Sequence, residues 1–184
     1  VKNNFQVNVI DDSPIANPGT ASTVEDESVN SGNNEPEDGY TAKAEHVSLN
    51  IQWGADNAND ANGQPGDRSV AFSNANVTVV GEAGNSLTSL GVAVHTAILA
   101  NGTLVGYTGD TAPTTTGAGN VVFFATVSDV NNGEYNFHLV KPLDHDSSPA
   151  NSENSLSLKF NYTATDSDGD TSSSTFTVNV VDDV

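Results

Sequence analysis

Apolar and polar residues alternate along much of this chain. In VSLNIQW, residues 47–53, Val47, Leu49, Ile51 and Trp53 share one side of an extended backbone. LSLKFNYTA, 156–164, repeats the pattern with Leu156, Leu158, Phe160, Tyr162 and Ala164. FTVNV, 176–180, gives Phe176, Val178 and Val180, with Thr177 and Asn179 on the other side. A period of two is that of half-buried strands. Segments 69–73, 76–80, 92–99, 103–107, 120–128 and 134–140 are further strand candidates, rich in the Thr, Val and Phe that strands favour. ANGT at 100–103, NNGE at 131–134 and DSDGD at 166–170 are turn signals. They predict hairpins of 92–99 with 103–107 and of 122–128 with 134–140. No segment has the period of an amphipathic helix. The expected fold is all-β: an antiparallel β-sandwich with long acidic loops.

Two stretches are poor in apolar residues: 28–44 and 107–119. They read as surface loops, not as a second core. One phrase occurs twice. FQVNVIDD at 5–12 and FTVNVVDD at 176–183 agree in six of eight positions and stand 171 residues apart. The simplest account is a tandem array cut slightly longer than one unit, and the start on a strand-like phrase without Met fits an excised piece. Residues 1–12 are then the terminal strand and linker of a preceding unit, and 13–184 form a single repeat. After the first copy, Pro14, Pro18 and Gly19 punctuate a stiff linker.

Charge changes the picture most. Five Lys and Arg face 24 Asp and Glu, a formal net charge of −19. Self-repulsion on this scale opposes compaction unless cations bind or screen it. It excludes nucleic acid and anionic membrane surfaces as partners, because both require basic patches. No apolar run is long enough to span a membrane. Without Cys there are no disulfides and no thiolate ligands, and zinc loses its usual sulfur donors. Ca2+ suits what remains: carboxylates, amide side chains and carbonyls.

The acids fall in groups. Asp166, Asp168 and Asp170 alternate in a tight turn where Gly169 allows the bend, like the first half of a calcium loop. The helical version of that loop needs Glu at the twelfth position, where this chain has Thr177. The turn is therefore expected to draw its other ligands from elsewhere. Asp11 with Asp12, and Asp182 with Asp183, close the two copies of the phrase, where a cation bridging units would stiffen a joint. Glu25, Asp26 and Glu27 follow the linker. Asp144 and Asp146 flank His145, which reads as a loop residue because calcium prefers oxygen. Asp56, Asp60 and Asp67 lie in an Asn-rich loop after Trp53. The same acids also suit a solvated surface, a charged strand edge or plain turns. No nucleophile-elbow or zinc-protease motif is present, one Trp and four Tyr make a poor sugar platform, and no enzyme is expected.

With these residues in view, the chain resembles the tandem repeat domains of very large repeats-in-toxin adhesins exported by bacterial type I secretion. The resemblance rests on VNVIDDSPIA, EDES, WGAD at 53–56, PLDHD at 142–146 and the closing TATDSDGDTSSSTFTVNVVDD. It implies an Ig-like sandwich that binds calcium and stiffens an extracellular array at the bacterial cell surface, holding adhesive domains away from the cell. It implies neighbouring repeats of the same chain as partners, a monomer when excised, and Asp166, Asp168 and Asp170 as the leading ligands. Calcium-poor cytosol would keep such a chain unfolded for export. The unit exceeds the roughly 100 residues of a simple Ig-like sandwich. The surplus loops leave a second expectation open, a calcium-dependent carbohydrate- or peptide-binding module of the same adhesin.

Overall fold

The structure is a computed structural model, and it describes residues 6–8, 10–26, 29, 41–59, 66–80, 86–145 and 154–182. Every regular element among them is a strand. In chain order they are β1 (Ile15–Ala16), β2 (Ser22–Glu25), β3 (Lys43–Ser48), β4 (Ile51–Gln52), β5 (Ser69–Phe72), β6 (Thr78–Val80), β7 (Thr88–Ser89), β8 (Val92–Ile98), β9 (Leu104–Thr108), β10 (Val121–Ser128), β11 (Glu134–Leu139), β12 (Ser155–Thr165) and β13 (Thr171–Val181). One sheet has the order β3-β11-β10-β9-β8-β7. The other has the order β2-β13-β12-β5, with β6 also on β12. A two-stranded piece joins β1 to β4. The fold is an all-β sandwich, antiparallel except where β2 runs parallel to β13.

Both expected hairpins form, β8 with β9 and β10 with β11. β12 and β13 pair over their full eleven residues. Their inward residues Leu156, Leu158, Phe160, Tyr162, Phe176, Val178 and Val180 are buried, as their alternation requires. Segment 47–53 is half right: Leu49, Ile51 and Trp53 are buried, yet no single strand carries them. Asn50 breaks the ladder with φ 57°, and its side-chain amide donates to the Pro18 carbonyl and the Thr20 hydroxyl. The break turns the chain from β3 into β4, which faces the linker instead of β11.

The two sheets meet on an aromatic core. The Phe160 ring lies 4.9 Å from Phe176, 6.0 Å from Phe137 and 6.2 Å from Phe123. Two buried tyrosines face into it, and their hydroxyls reach the linker. Tyr162 donates to the carbonyls of Asn17 (2.6 Å) and Leu49 (2.9 Å). Tyr135 donates to the carbonyl of Thr20 (2.8 Å), and burial pushes its hydroxyl up to about 12. Gly19 N–H bonds to Thr175 and Thr20 N–H to Ser48. The segment expected to be a linker between units is thus bonded down alongside β13, from Ser172 to Thr175 and on into the β2–β13 pairing.

The described residues of the first phrase, 6–8 and 10–12, form no strand. Val7 is 70% exposed and Ile10 89%, whereas Val178, the counterpart of Val7, is 0% exposed. The same phrase is a core strand at the end of the chain and an open one at the start.

Candidate metal centre

The β12–β13 turn is built by Asp166. Its N–H bonds to the Asp170 carbonyl (3.0 Å), and its Oδ1 accepts from the N–H of Gly169 (3.0 Å) and Asp170 (2.8 Å). Gly169 takes φ 109°, which a side chain would resist. Asp166 is 1% exposed, and its other oxygen, Oδ2, is buried with no hydrogen-bond partner. Burial pushes this carboxyl above its ordinary value, and the neighbouring Asp168 carboxylate pushes it the same way. A buried acid oxygen left without a partner is costly, so something positive or protonated belongs beside it.

Three segments converge there. Carboxylate oxygens of Asp166, Asp168 and Asp170 lie within 4.8 Å of one another, and so do those of Asp11, Asp56 and Asp168. Asp168 is common to both sets. Oxygens held at 2.3–2.6 Å from one calcium ion stand at most about 5 Å apart, so each set matches a hard divalent cation. Asp11 arrives because the linker is bonded down. Asp12 Oδ2 accepts the Ala55 N–H (2.7 Å), and the Ser13 hydroxyl donates to Asp170 Oδ2 (2.6 Å). Asp56 is fixed through its backbone, its carbonyl accepting the Ser167 N–H (3.0 Å). Gly54, at φ 75°, lies directly under the Asp12 carboxylate, where a Cβ would collide. This end of the sandwich is called the linker pole below.

The eleven-residue β13 separates it from a second acidic group by roughly 35 Å of extended chain. At that far pole Asp26 and His145 are both buried, with Nε2 of His145 3.2 Å from Asp26 Oδ2. The same oxygen accepts the Leu143 N–H (2.9 Å). Asp26 N–H bonds to the Val181 carbonyl, and Asp182 N–H to that of Asn154. Burial raises the Asp26 carboxyl, with a smaller push from Asp182, while His145 opposes the rise. Glu25 is buried beside it in sequence. The described residues at this pole bring no three acid or imidazole ligand atoms together as the linker pole does. Glu27, Asp146 and Asp183 lie outside the described residues, as does Asp60.

Comparison with known families gives one result. The family described as "Domain of unknown function (DUF5801)" matches residues 9–179. The chain belongs to the DUF5801 family. The matched span holds every ligand candidate of the linker pole, including Asp11, and stops before Asp182. No curated protein and no solved structure matches the chain.

Two residues discussed from the sequence have partners within the fold. Asp144 Oδ2 accepts the Gly91 N–H (2.8 Å) and its N–H bonds to the Thr88 carbonyl, which fastens the β7–β8 turn. Trp53 is buried: its Nε1 donates to the Asn131 carbonyl and the Arg68 guanidinium lies 4.7 Å above its ring. His145, read as a loop residue, is a buried partner of Asp26. Sequence reading missed Ser13 and Gly54.

Proposed function

We propose that this DUF5801 chain is a calcium-stabilised spacer module of a secreted bacterial surface adhesin of the repeats-in-toxin kind. One observation carries the reading: the buried, unpartnered Oδ2 of Asp166, whose carboxylate clusters with those of Asp168 and Asp170, beside a second cluster in which Asp168 meets Asp11 and Asp56. Paired carboxylates repel one another at this distance, and a divalent cation reverses the sign of that interaction. The ion would be held by residues on both sides of a boundary. Asp11 belongs to the repeated phrase, whereas Asp56, Asp166, Asp168 and Asp170 belong to the sandwich. Calcium there would lock the terminal phrase of one unit onto the next, and the docked linker makes the joint stiff. The exposure of Val7 and Ile10 supports this, because a terminal strand of a preceding unit would have its own sheet to cover it. Binding confined to the folded state adds to folding stability, which suits a chain of net charge −19 that folds outside the cell. The buried Trp53 offers no platform to a sugar, which favours a spacer over a lectin-like module.

The test is the shape of two joined units, residues 1–184 followed by 13–184, in small-angle scattering. A rod-like particle in calcium should become a flexible pair on chelation. Identical profiles in both conditions would sink the proposal.

A further inference from the structure

Segment 13–25, near the start of the chain, lies along β13, near its end, and runs parallel to it. The Ser13 hydroxyl donates to Asp170 Oδ2 (2.6 Å), the Ala16 N–H to the Ser172 hydroxyl (3.1 Å) and the Gly19 N–H to the Thr175 carbonyl (2.9 Å). From Ser22 to Glu25 the backbone pairs with Val178 to Val181, and the Asp26 N–H closes the run on the Val181 carbonyl (3.1 Å). Ala16, Gly19, Ser22 and Glu25 each meet the residue 156 places further on, so the register holds along the whole contact. Every other strand pair among the described residues is antiparallel.

The strand directions decide how a pull is met. Segment 13–25 enters at the linker pole, beside the β12–β13 turn, and β13 leaves at the far pole. Tension applied from one side of the sandwich to the other along the chain draws segment 13–25 toward the linker pole and β13 toward the far pole. The two must slide past each other. Their hydrogen bonds run across that motion and share the load, so none opens ahead of the rest. A pair pulled apart from one end would instead lose its bonds in turn.

The contact is backed on both sides. β13 pairs with β12 over eleven residues, and the hydroxyls of Tyr162 and Tyr135 hold the carbonyls of Asn17 and Thr20. Val24, Val178 and Val180 are 0% exposed, which keeps water from replacing the strand bonds as they stretch. We infer that β2 and the linker laid along β13 form a mechanical clamp, which keeps the sandwich folded when the chain is pulled lengthwise. On the spacer reading, this is the direction in which a tethered array is pulled.

The test is single-molecule force spectroscopy of the 184-residue chain in calcium. The sequence has no cysteine, so introduced thiols are unique handles. One form carries a cysteine at each terminus. The other carries Ser155→Cys and a C-terminal cysteine; Ser155 pairs with Val181, so this pull opens β12–β13 from its end. The end-to-end form should unfold at a several-fold higher force. Two substitutions locate the barrier. Val24 in β2 and Val105 in β9 are both 0% exposed, and Val24→Ala and Val105→Ala should each lower the melting temperature. Forced unfolding follows the barrier to unfolding, so only Val24→Ala, in the pair that must part first, should lower the end-to-end force. Equal forces in the two pulling directions overturn the clamp. So does a Val105→Ala chain that weakens under end-to-end load as much as Val24→Ala. All forces are read in one calcium solution, so this result is separate from the loss of rod shape on chelation that tests the calcium joint.

Discussion

Replacing Asp166 by Asn separates a metal site from a structural turn. The amide keeps the geometry: its oxygen can still accept from Gly169 and Asp170, as Oδ1 does. What changes is the buried atom without a partner, which loses its negative charge. In chelator the parent must hold an acid oxygen buried beside Asp168, and the variant is relieved of that cost. Asp166→Asn should therefore melt at the same temperature as the parent or higher when calcium is absent. In calcium the order should reverse. Extracellular calcium modules have dissociation constants near 10⁻⁴ M, so about 10 mM calcium is about 100 times that value and stabilises the parent by about 2.7 kcal/mol. For a chain of this size one kcal/mol shifts the melting temperature by about 2–4 °C, which gives a rise of about 5–10 °C. The variant should keep little of it. Differential scanning calorimetry of both proteins, with calcium and with chelator at neutral pH, reads all four temperatures. A parent that melts alike in both conditions refutes the site. A variant that gains as much from calcium as the parent removes Asp166 from it.

Gly54→Ala should cost about 1–2 kcal/mol from its left-handed φ alone and should lower calcium affinity, because the new Cβ displaces the Asp12 carboxylate; urea denaturation in chelator and titration calorimetry read the two effects separately. Tyr162→Phe leaves the carbonyls of Asn17 and Leu49 without their donor, and should cost about 1–3 kcal/mol, seen as a lower urea midpoint at unchanged slope. His138 has its pKa lowered first by burial and then by Lys43, so the folded state binds its proton less readily than the unfolded chain. Its contribution to stability is present above the unfolded value of about 6.5 and is lost as pH falls through the lowered folded pKa; the slope of stability against pH below 6.5 should flatten in His138→Gln. Val7→Ser should change stability by less than about 0.5 kcal/mol, while the same change at Val178 should cost about 2 kcal/mol or more, which chemical denaturation of the two variants will compare.

The parts of the fold legible in the sequence are those where one face is wholly apolar. β11, β12 and β13 alternate over six to eleven residues, so their faces are fixed by pattern alone, whereas β10 is legible as an apolar run buried at Val121, Val122 and Phe123. β1, β4 and β7 have two residues each, too few to carry a period. The start of β3, Lys43 and Ala44, fell in the stretch 28–44 read as loop, because this edge strand turns polar residues outward. Chemistry followed the same division. The spacing of Asp166, Asp168 and Asp170 showed in a local turn. Their meeting with Asp11 and Asp56 did not, because it depends on contacts distant in sequence: Tyr162 to Asn17, Gly19 to Thr175 and Asp56 to Ser167. Asp144 shows the same Asp-x-Asp spacing as the turn at 166–170, and both Asp144 and Asp166 accept backbone N–H groups; what sets the turn apart is that Asp168 and Asp170 gather beside Asp166.

The two copies of the repeated phrase share six of eight letters but have opposite surroundings. At the end of the chain the phrase is the central strand of a sheet, with Val178 and Val180 in the core and the acid that follows near Asp26. At the start the phrase leaves Val7 and Ile10 in solvent, while Asp11 and Asp12 are drawn onto the sandwich. At the start of the chain its apolar residues Val7 and Ile10 are thus open to solvent while its acidic pair faces the sandwich. The apolar half needs a sheet, and the acidic half needs a cation or backbone N–H groups on the neighbouring sandwich. A segment divided in this way is suited to join two units: one end is anchored by burial, whatever the solution contains, and the other only when positive charge is supplied. On the calcium reading, burial fixes the strand and the ion fixes the angle, so chelation should loosen the joint well before it unfolds either sandwich.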